Sequence, residues 1–403
     1  MAVKKSRRKT GKPPLLIVAG EHSGDLLGGE TILALKKLGY DSFLGTGGDA
    51  MKAAGAELLE TVESMTIIGF VEALKAYPRL KKLALRLADA AQERGVTSAI
   101  LIDYPGFNLR LAAMLKERGI RVVYLVSPQI WAWHYSRINK IRQYVDLMLT
   151  LFPFEKEMYD AEGVESFCIG HPMVFRIPRE LRKSKALRFK NKKPIIGLLP
   201  GSRGSEISRL LPPMLEAARL LHEDFPKALF LIPGVNPRYE NFIREKIAAY
   251  PDLPLEYLEG ESLRIMATSD VLLLASGTAS LEAAFFKKPM VIAYRVGLFN
   301  YFIASLVART RFVGLPNLLA REQVARELLM DEANGENMAQ EVARLLNDSG
   351  YRGKILRELT FVRKQIGSGN PAARAARRIH RFIQESSQPK NPRKKKSVSR
   401  KKP

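Results

Sequence analysis

Twice in this chain a short apolar run ends in a glycine turn that opens a helix-like stretch. The first is "LLIVAGEHSGD" (Leu15 to Asp25) and the second is "PIIGLLPGSRGSEI" (Pro194 to Ile207). Apolar runs of five or six residues bounded by glycine are strand-length. Each opens an alternation. In the first half, "SAILID", "RVVYLV" and "LMLTLF" read as strands, and Asp25–Leu38, Arg79–Arg94 and Leu109–Arg118 have helical period. In the second half the strands are "ALFLIP", "LPLEYL", "DVLLLA" and "PMVIAY", between helices at Ser208–Asp224, Tyr239–Tyr250, Ser262–Thr268 and Ala279–Lys287. Parallel strands need crossover helices, so this alternation predicts an α/β protein with doubly wound parallel sheets and helices on both faces. Two such units fit a chain of 403 residues. From about Arg321 to Glu385 the apolar residues recur at three- and four-residue steps, which predicts helix throughout.

In a doubly wound sheet the ligand lies at the carboxyl edge of the strands, where the first glycine turn sits. Two sheets facing each other would put one turn on each wall of a cleft. The turns differ. "LPGSRGSEI" offers Gly201, Ser202 and Arg203 at a helix start, where free N–H groups and a fixed guanidinium fork suit a phosphate. A plain strand-to-helix turn reads the same way, and the P-loop spacing is absent. "ASGTASLE" adds Ser276, Gly277 and Thr278 at a second strand end, with Glu282 close enough to accept from ribose hydroxyls. "VAGEHSGD" has no basic group except His22 and carries Glu21, Ser23 and Asp25, which suit sugar hydroxyls or proton removal rather than a diphosphate. Asp103, in "ILIDYPGFN", ends a strand and is either a general base or a loop-fixing aspartate. His171, in "IGHP", reads as part of a hinge.

Composition narrows the classes. The single cysteine, Cys168, excludes an internal disulfide and reads as an inert thiol. No paired Asp-x-Asp, His-Glu-x-x-His or Cys/His set suggests a metal or other cofactor. Residues 1–12 hold six basic residues and 390–403 hold eight, with no acidic residue in either. More than half of the net charge of +24 therefore lies in the two ends, which suits an anionic surface and argues against a folded nucleic-acid face. The stretch Val296–Ala308 is too short to span a bilayer. Val296–Arg311 and Met65–Leu83 mix apolar residues with basic ends, as an interfacial or an ordinary buried helix does.

Ten segments occur in order: "AGEHSGD", "GTGGDAM", "IGFVEAL", "IDYPGFN", "VSPQIWAWH", "PFEKEMYD", "IGHP", "LLPGSRGSEI", "ASGTASLEAAF" and "LPNLLA". Together they resemble the lipid A disaccharide synthase family, inverting glycosyltransferases of the two-domain GT-B type, over about Leu15 to Phe382. The resemblance implies UDP-2,3-diacylglucosamine as donor, 2,3-diacylglucosamine 1-phosphate as acceptor and a β-1,6 disaccharide phosphate plus UDP as products. It implies no metal and work at the cytosolic face of a bacterial inner membrane. By motif, Asp103 would be the general base. Gly201, Ser202, Arg203, Ser276, Gly277, Thr278, Glu282 and Asn317 would hold the nucleotide, and Glu21, Ser23 and Asp25 would line the sugar side. Ile67, Ile68, Phe70, Phe299, Tyr301 and Phe302 would meet acyl chains or membrane. A homodimer exchanging C-terminal segments also belongs to what the family suggests. The rival reading is another GT-B enzyme, such as a UDP-N-acetylglucosamine 2-epimerase.

The expected organisation is then a basic disordered tail (1–12), a Rossmann-like acceptor-side domain (13–175), a linker (176–193), a Rossmann-like UDP-sugar domain (194–350), C-terminal helices packing back on the first domain (351–385) and a second basic tail (386–403).

Overall fold

A computed structural model describes residues 12–65, 70–132, 134–182, 193–234, 236–295 and 311–387. Both basic ends, most of the expected linker, and Ile67, Ile68, Phe299, Tyr301 and Phe302 lie outside the described residues. Phe70 opens the helix Phe70–Glu93, but its side chain also lies outside them.

The first sheet has seven parallel strands: β1 (Leu15–Ala19), β2 (Phe43–Gly47), β3 (Glu57–Thr61), β4 (Ser98–Ile102), β5 (Arg121–Leu125), β6 (Leu147–Thr150) and β7 (Ser166–Cys168). Their spatial order is β3-β2-β1-β4-β5-β6-β7. The second has six: β8 (Ile195–Leu199), β9 (Leu229–Gly234), β10 (Leu255–Glu259), β11 (Val271–Ala275), β12 (Met290–Tyr294) and β13 (Arg326–Leu329), in the order β10-β9-β8-β11-β12-β13. The two halves thus repeat one winding. Each reverses direction beside its first strand, between β1 and β4 and between β8 and β11. Central strands such as β1, β4 and β11 are buried along their whole length, because helices cover both faces.

Besides the three-residue β7, the strands β2, β3 and β13 escape the pattern reading. β2, "FLGTG", is short and holds two glycines. Gly45 is required there: a Cβ would stand 1.8 Å from the carbonyl oxygen of Ile17 on the neighbouring strand. β3 is half exposed and carries two glutamates. β13 corrects the expectation of continuous helix from Arg321: "RELL" adds an edge strand to β12, an outcome of long-range pairing that local period does not encode. The first helix also begins at His22 rather than Asp25.

The chain crosses between the sheets twice. Outbound, Met173, Val174 and Ile177 enter the core of the second sheet. Inbound, the helix Ser349–Ile366 ends at Gly367, and the helix Pro371–Ser387 then buries Ala372, Ala375, Ala376, Ile379 and Phe382 in a core shared with Leu15, Ile17, Leu27 and Ile32. The crossings touch where the His171 N–H donates to the carbonyl of Ile366 at 3.2 Å.

Gly20, just past β1, carries a similar constraint. A Cβ there would lie 2.3 Å from the ring of Tyr104. Gly20→Ala should cost about 1–3 kcal/mol in urea denaturation, the usual range for overpacking. Adding Tyr104→Ala should remove most of that increment. Equal Gly20→Ala penalties with and without the Tyr104 ring would contradict this packing.

Candidate active site

The strand end at β4 carries the most unusual backbone of the first domain. Asp103 and Tyr104 are consecutive non-glycine residues with φ of 48° and 45°. Side chains avoid this region, and two in a row persist only where surroundings enforce them. Here the enforcement is explicit. The Asn108 amide donates to the carbonyls of Ile102 (3.1 Å) and Asp103 (2.8 Å), and the Tyr124 hydroxyl donates to the Asp103 carbonyl at 2.6 Å. The Tyr104 hydroxyl donates to the carbonyl of Met65 at 2.8 Å. Next to it, Val126 is also left-handed, with φ of 71°. The result aims the Asp103 carboxyl into a cleft cavity. Burial, and after it the Glu21 carboxylate, push Asp103 up to about 6.

The other residues expected on this wall separate. Ser23 lines the cavity with Asp103. Glu21 caps the start of the helix His22–Lys36 by position, is exposed, and acts on Asp103 through its charge. Asp25 faces the other way. It is 1% exposed, and its oxygens accept from the N–H groups of Gly48 (2.7 Å), Ala50 (3.1 Å) and Met51 (3.0 Å). It fastens the helix Asp49–Ala53 to the helix His22–Lys36, so the sugar-side expectation for Asp25 is corrected to a structural one.

On the second wall the two glycine turns also part. In "PGSRGSE" the Glu206 carboxylate has already occupied the turn. Its oxygens accept from the N–H groups of Ser202 (3.1 Å) and Arg203 (3.3 Å) and pair with the Arg203 guanidinium at 2.7 Å. Gly201, with φ of 110°, exists to admit it: a Cβ would stand 2.4 Å from Glu206 Oε2. The backbone anion nest expected from Gly201 and Ser202 is therefore filled by the chain itself. Glu206 three residues after the cap is the sequence signal that marks this. Arg203 remains reachable, its side chain 80% exposed.

The turn after β11 is open instead. Among the described residues no side chain caps the helix Thr278–Phe285; the Ser280 N–H returns to the Gly277 carbonyl at 3.1 Å, and the N–H groups of Thr278 and Ala279, at the cavity lining, are left open. Ser276 reaches the carbonyl of Val313 at 3.4 Å. The Glu282 carboxyl has no hydrogen-bond partner among the described residues, and burial pushes it up to about 7. Asn317 is fully buried: it donates to Ala325 and Glu327 and accepts from the N–H groups of Val324 and Ala325. Glu327 in turn accepts from the N–H groups of Val313 and Gly314 at 2.8 Å. Asn317 thus acts on the nucleotide side only by fixing the loop that Ser276 touches, which corrects its expected direct contact.

Two cavities meet at Thr278 and Glu282. One, of about 280 Å³, is lined by Gly201, Ser202, Arg203, Glu206 and Ser276–Ala279 within the second domain. The other, of about 390 Å³, lies between the domains, with Ser23, Asp103 and Val126 on one side and Leu263, Thr278 and Glu282 on the other. Its floor is the outbound crossover, including His171 and Arg176, which sequence reasoning left as hinge or linker. Burial, and then the Arg176 charge, hold His171 down to about 4, so it is neutral at pH 7.

Two doubly wound domains, an anion-friendly helix start on one wall and a buried carboxyl on the other define the GT-B class of nucleotide-sugar enzymes. Solved structures share the architecture: the glycotransferase of kitacinnamycin at a TM-score of 0.60 and 16% identity, covering 92% of this chain and 99% of that one, and a UDP-N-acetylglucosamine 2-epimerase from Listeria monocytogenes at 0.57 and 14%, covering 94% and 97%. At those identities the likeness is one of fold. The chain belongs to the lipid-A-disaccharide synthetase family, which it matches over residues 15–376. The lipid-A-disaccharide synthase of Trichlorobacter lovleyi is 37% identical over 93% of this chain and 99% of its own length. That of Anaeromyxobacter dehalogenans is 40% identical over 91% and 96%. The chain is accordingly a glycosyltransferase of lipid A biosynthesis.

Asp25→Ala would strand three backbone N–H groups, two of them in fully buried surroundings. It should destabilise the protein by about 3 kcal/mol in thermal or urea melts. Full stability with a selective loss of substrate affinity would restore the sugar-side role.

Proposed function

We propose that the chain transfers 2,3-diacylglucosamine from its UDP donor to the 6-hydroxyl of 2,3-diacylglucosamine 1-phosphate, with inversion, at an anionic inner-membrane surface. The observation that carries the site assignment is the strained, half-buried Asp103 facing Thr278 and Glu282 across one cavity.

In this reading the Asp103 carboxylate takes the proton of the acceptor 6-hydroxyl as its oxygen attacks the anomeric carbon. The bond from that carbon to the diphosphate oxygen breaks, and its electron pair leaves with UDP. The charge that develops on the diphosphate meets the open N–H groups at Thr278 and the Arg203 guanidinium, both fixed before the reaction begins. The Glu282 carboxyl, half-buried and without a partner among the described residues, would accept from ribose hydroxyls, and that hydrogen bond would relieve its isolation. Gly201 and Ser202 shape this pocket by holding Glu206, and Asn317 by holding the loop at Val313. No helix among the described residues is long and apolar enough to cross a membrane. Surface binding through the basic ends and the stretches Met65–Leu83 and Val296–Arg311 fits a peripheral enzyme with acylated substrates.

The reading is tested by supplying both acyl sugars and following UDP and disaccharide phosphate. Absence of both products sinks it. A base must be deprotonated to act, and Asp103 is held near 6, so kcat should rise with pH through about 6 and level off above it. Asp103→Asn should lower kcat by about 100-fold or more and leave UDP affinity within about twofold. An unchanged acid limb in Asp103→Asn would take the base role from Asp103. Arg203→Ala should weaken UDP binding by about tenfold or more. Unaltered UDP affinity would remove Arg203 from the site.

A further inference from the structure

The interdomain cavity holds a second basic element that the transfer step above does not use. Among the described residues that line it, Arg176 carries the one fixed positive charge, and His171 is five residues before it on the same crossover. Among the described residues Arg176 has one ion pair, from its Nε to Glu30 at 3.5 Å, and no hydrogen bond engages its Nη groups, while the residue lines the cavity. The His171 ring is held from two sides, and its backbone is tied as well. Its Nδ1 accepts from the Met173 N–H at 3.3 Å, its ring stacks on Phe152 at 5.5 Å, and the His171 backbone N–H donates to the carbonyl of Ile366. With Nδ1 accepting, the neutral ring carries its proton on Nε2 and is a fixed donor. The Arg176 charge reaches His171, so the two act on one space.

The other cation of the cleft, Arg203, lines the smaller cavity with the open turn at Thr278. The cleft therefore offers two separate places for anions. A diphosphate occupies one. Resting on the transferase reading, we propose that Arg176 and His171 form a phosphomonoester subsite that holds the acceptor's own phosphate and so orients its far hydroxyl toward Asp103. A phosphomonoester carries between one and two negative charges near pH 7 and three acceptor oxygens. A guanidinium fork and a neutral imidazole N–H match that geometry, and the guanidinium supplies the charge complement. Built on the crossover, the subsite also ties acceptor occupancy to the segment that links the two domains.

The experiment compares two acceptors in mixed micelles, 2,3-diacylglucosamine 1-phosphate and its dephosphorylated counterpart, at saturating UDP-2,3-diacylglucosamine. The wild type should favour the phosphorylated acceptor in kcat/KM. Arg176→Gln should shrink that preference by about tenfold or more, and His171→Gln by a smaller factor in the same direction. Glu30→Gln, which breaks the ion pair and keeps Arg176, should retain the wild-type preference. If Arg176→Gln slows both acceptors equally, its role is structural and the proposal fails. If the donor KM rises instead, Arg176 serves the nucleotide and the proposal fails. Equal use of both acceptors by the wild type also overturns it while leaving the transferase reading intact. No turnover of either acceptor by the wild type would overturn that reading and the subsite with it.

Discussion

The site depends on one topological constraint, the reversal of winding beside β1 and again beside β8. Where successive crossovers leave a parallel sheet in opposite directions, their loops separate and a crevice opens at the carboxyl edge. Four segments end at these two crevices: Gly20–Ser23 and Asp103–Pro105 in the first domain, Gly201–Arg203 and Ser276–Thr278 in the second. The functional side chains of the cleft hang from these segments, from the helix Thr278–Phe285 that one of them opens, or from the crossover between the domains. The duplication in the sequence is thus a duplication of crevices.

The crevices are not used alike. In the second domain an internal carboxylate, Glu206, has claimed one helix start, while the neighbouring start at Thr278 is left open. The filled turn is rigid and presents only the Arg203 side chain. The open one presents backbone N–H groups. In the proposed reading they offer the Arg203 charge, held by Glu206, and a fixed dipole to the same diphosphate. In the first domain the strain at Asp103 and Tyr104 serves a different end. Side-chain hydrogen bonds from Asn108 and Tyr124 hold a backbone that would otherwise relax, so the carboxyl stays aimed at the cleft in a partly dehydrated setting that raises its basicity.

Much of this was legible in the sequence. The apolar runs at β1, β4, β5, β8 and β11 are short, buried on both faces and bounded by turn residues, so period and length identify them. The ordered motifs carried the family. What stayed hidden depends on partners distant in the chain. Asp25 looks like a cleft acid until Gly48, Ala50 and Met51 come to it from 23 or more residues away. Asn317 sits in a motif beside the nucleotide, yet spends its amide on residues up to ten positions along. β13 has a helical period and becomes a strand only because β12 offers an edge. His171 and Arg176 read as hinge and linker because nothing local tells a crossover that it will floor a cavity. Glu206 is the exception, since its spacing from Arg203 announces a filled turn.

In the proposed reading the nucleotide's phosphates meet the open turn after β11 rather than the glycine turn that looks most like a phosphate loop. Amide chemical shifts of a ¹⁵N-labelled sample titrated with UDP test it directly. The N–H groups of Gly277, Thr278 and Ala279 should move strongly and saturate together, while those of Ser202 and Arg203, already bonded to Glu206, should change little. Large shifts confined to Ser202 and Arg203, with Gly277–Ala279 unmoved, would contradict it.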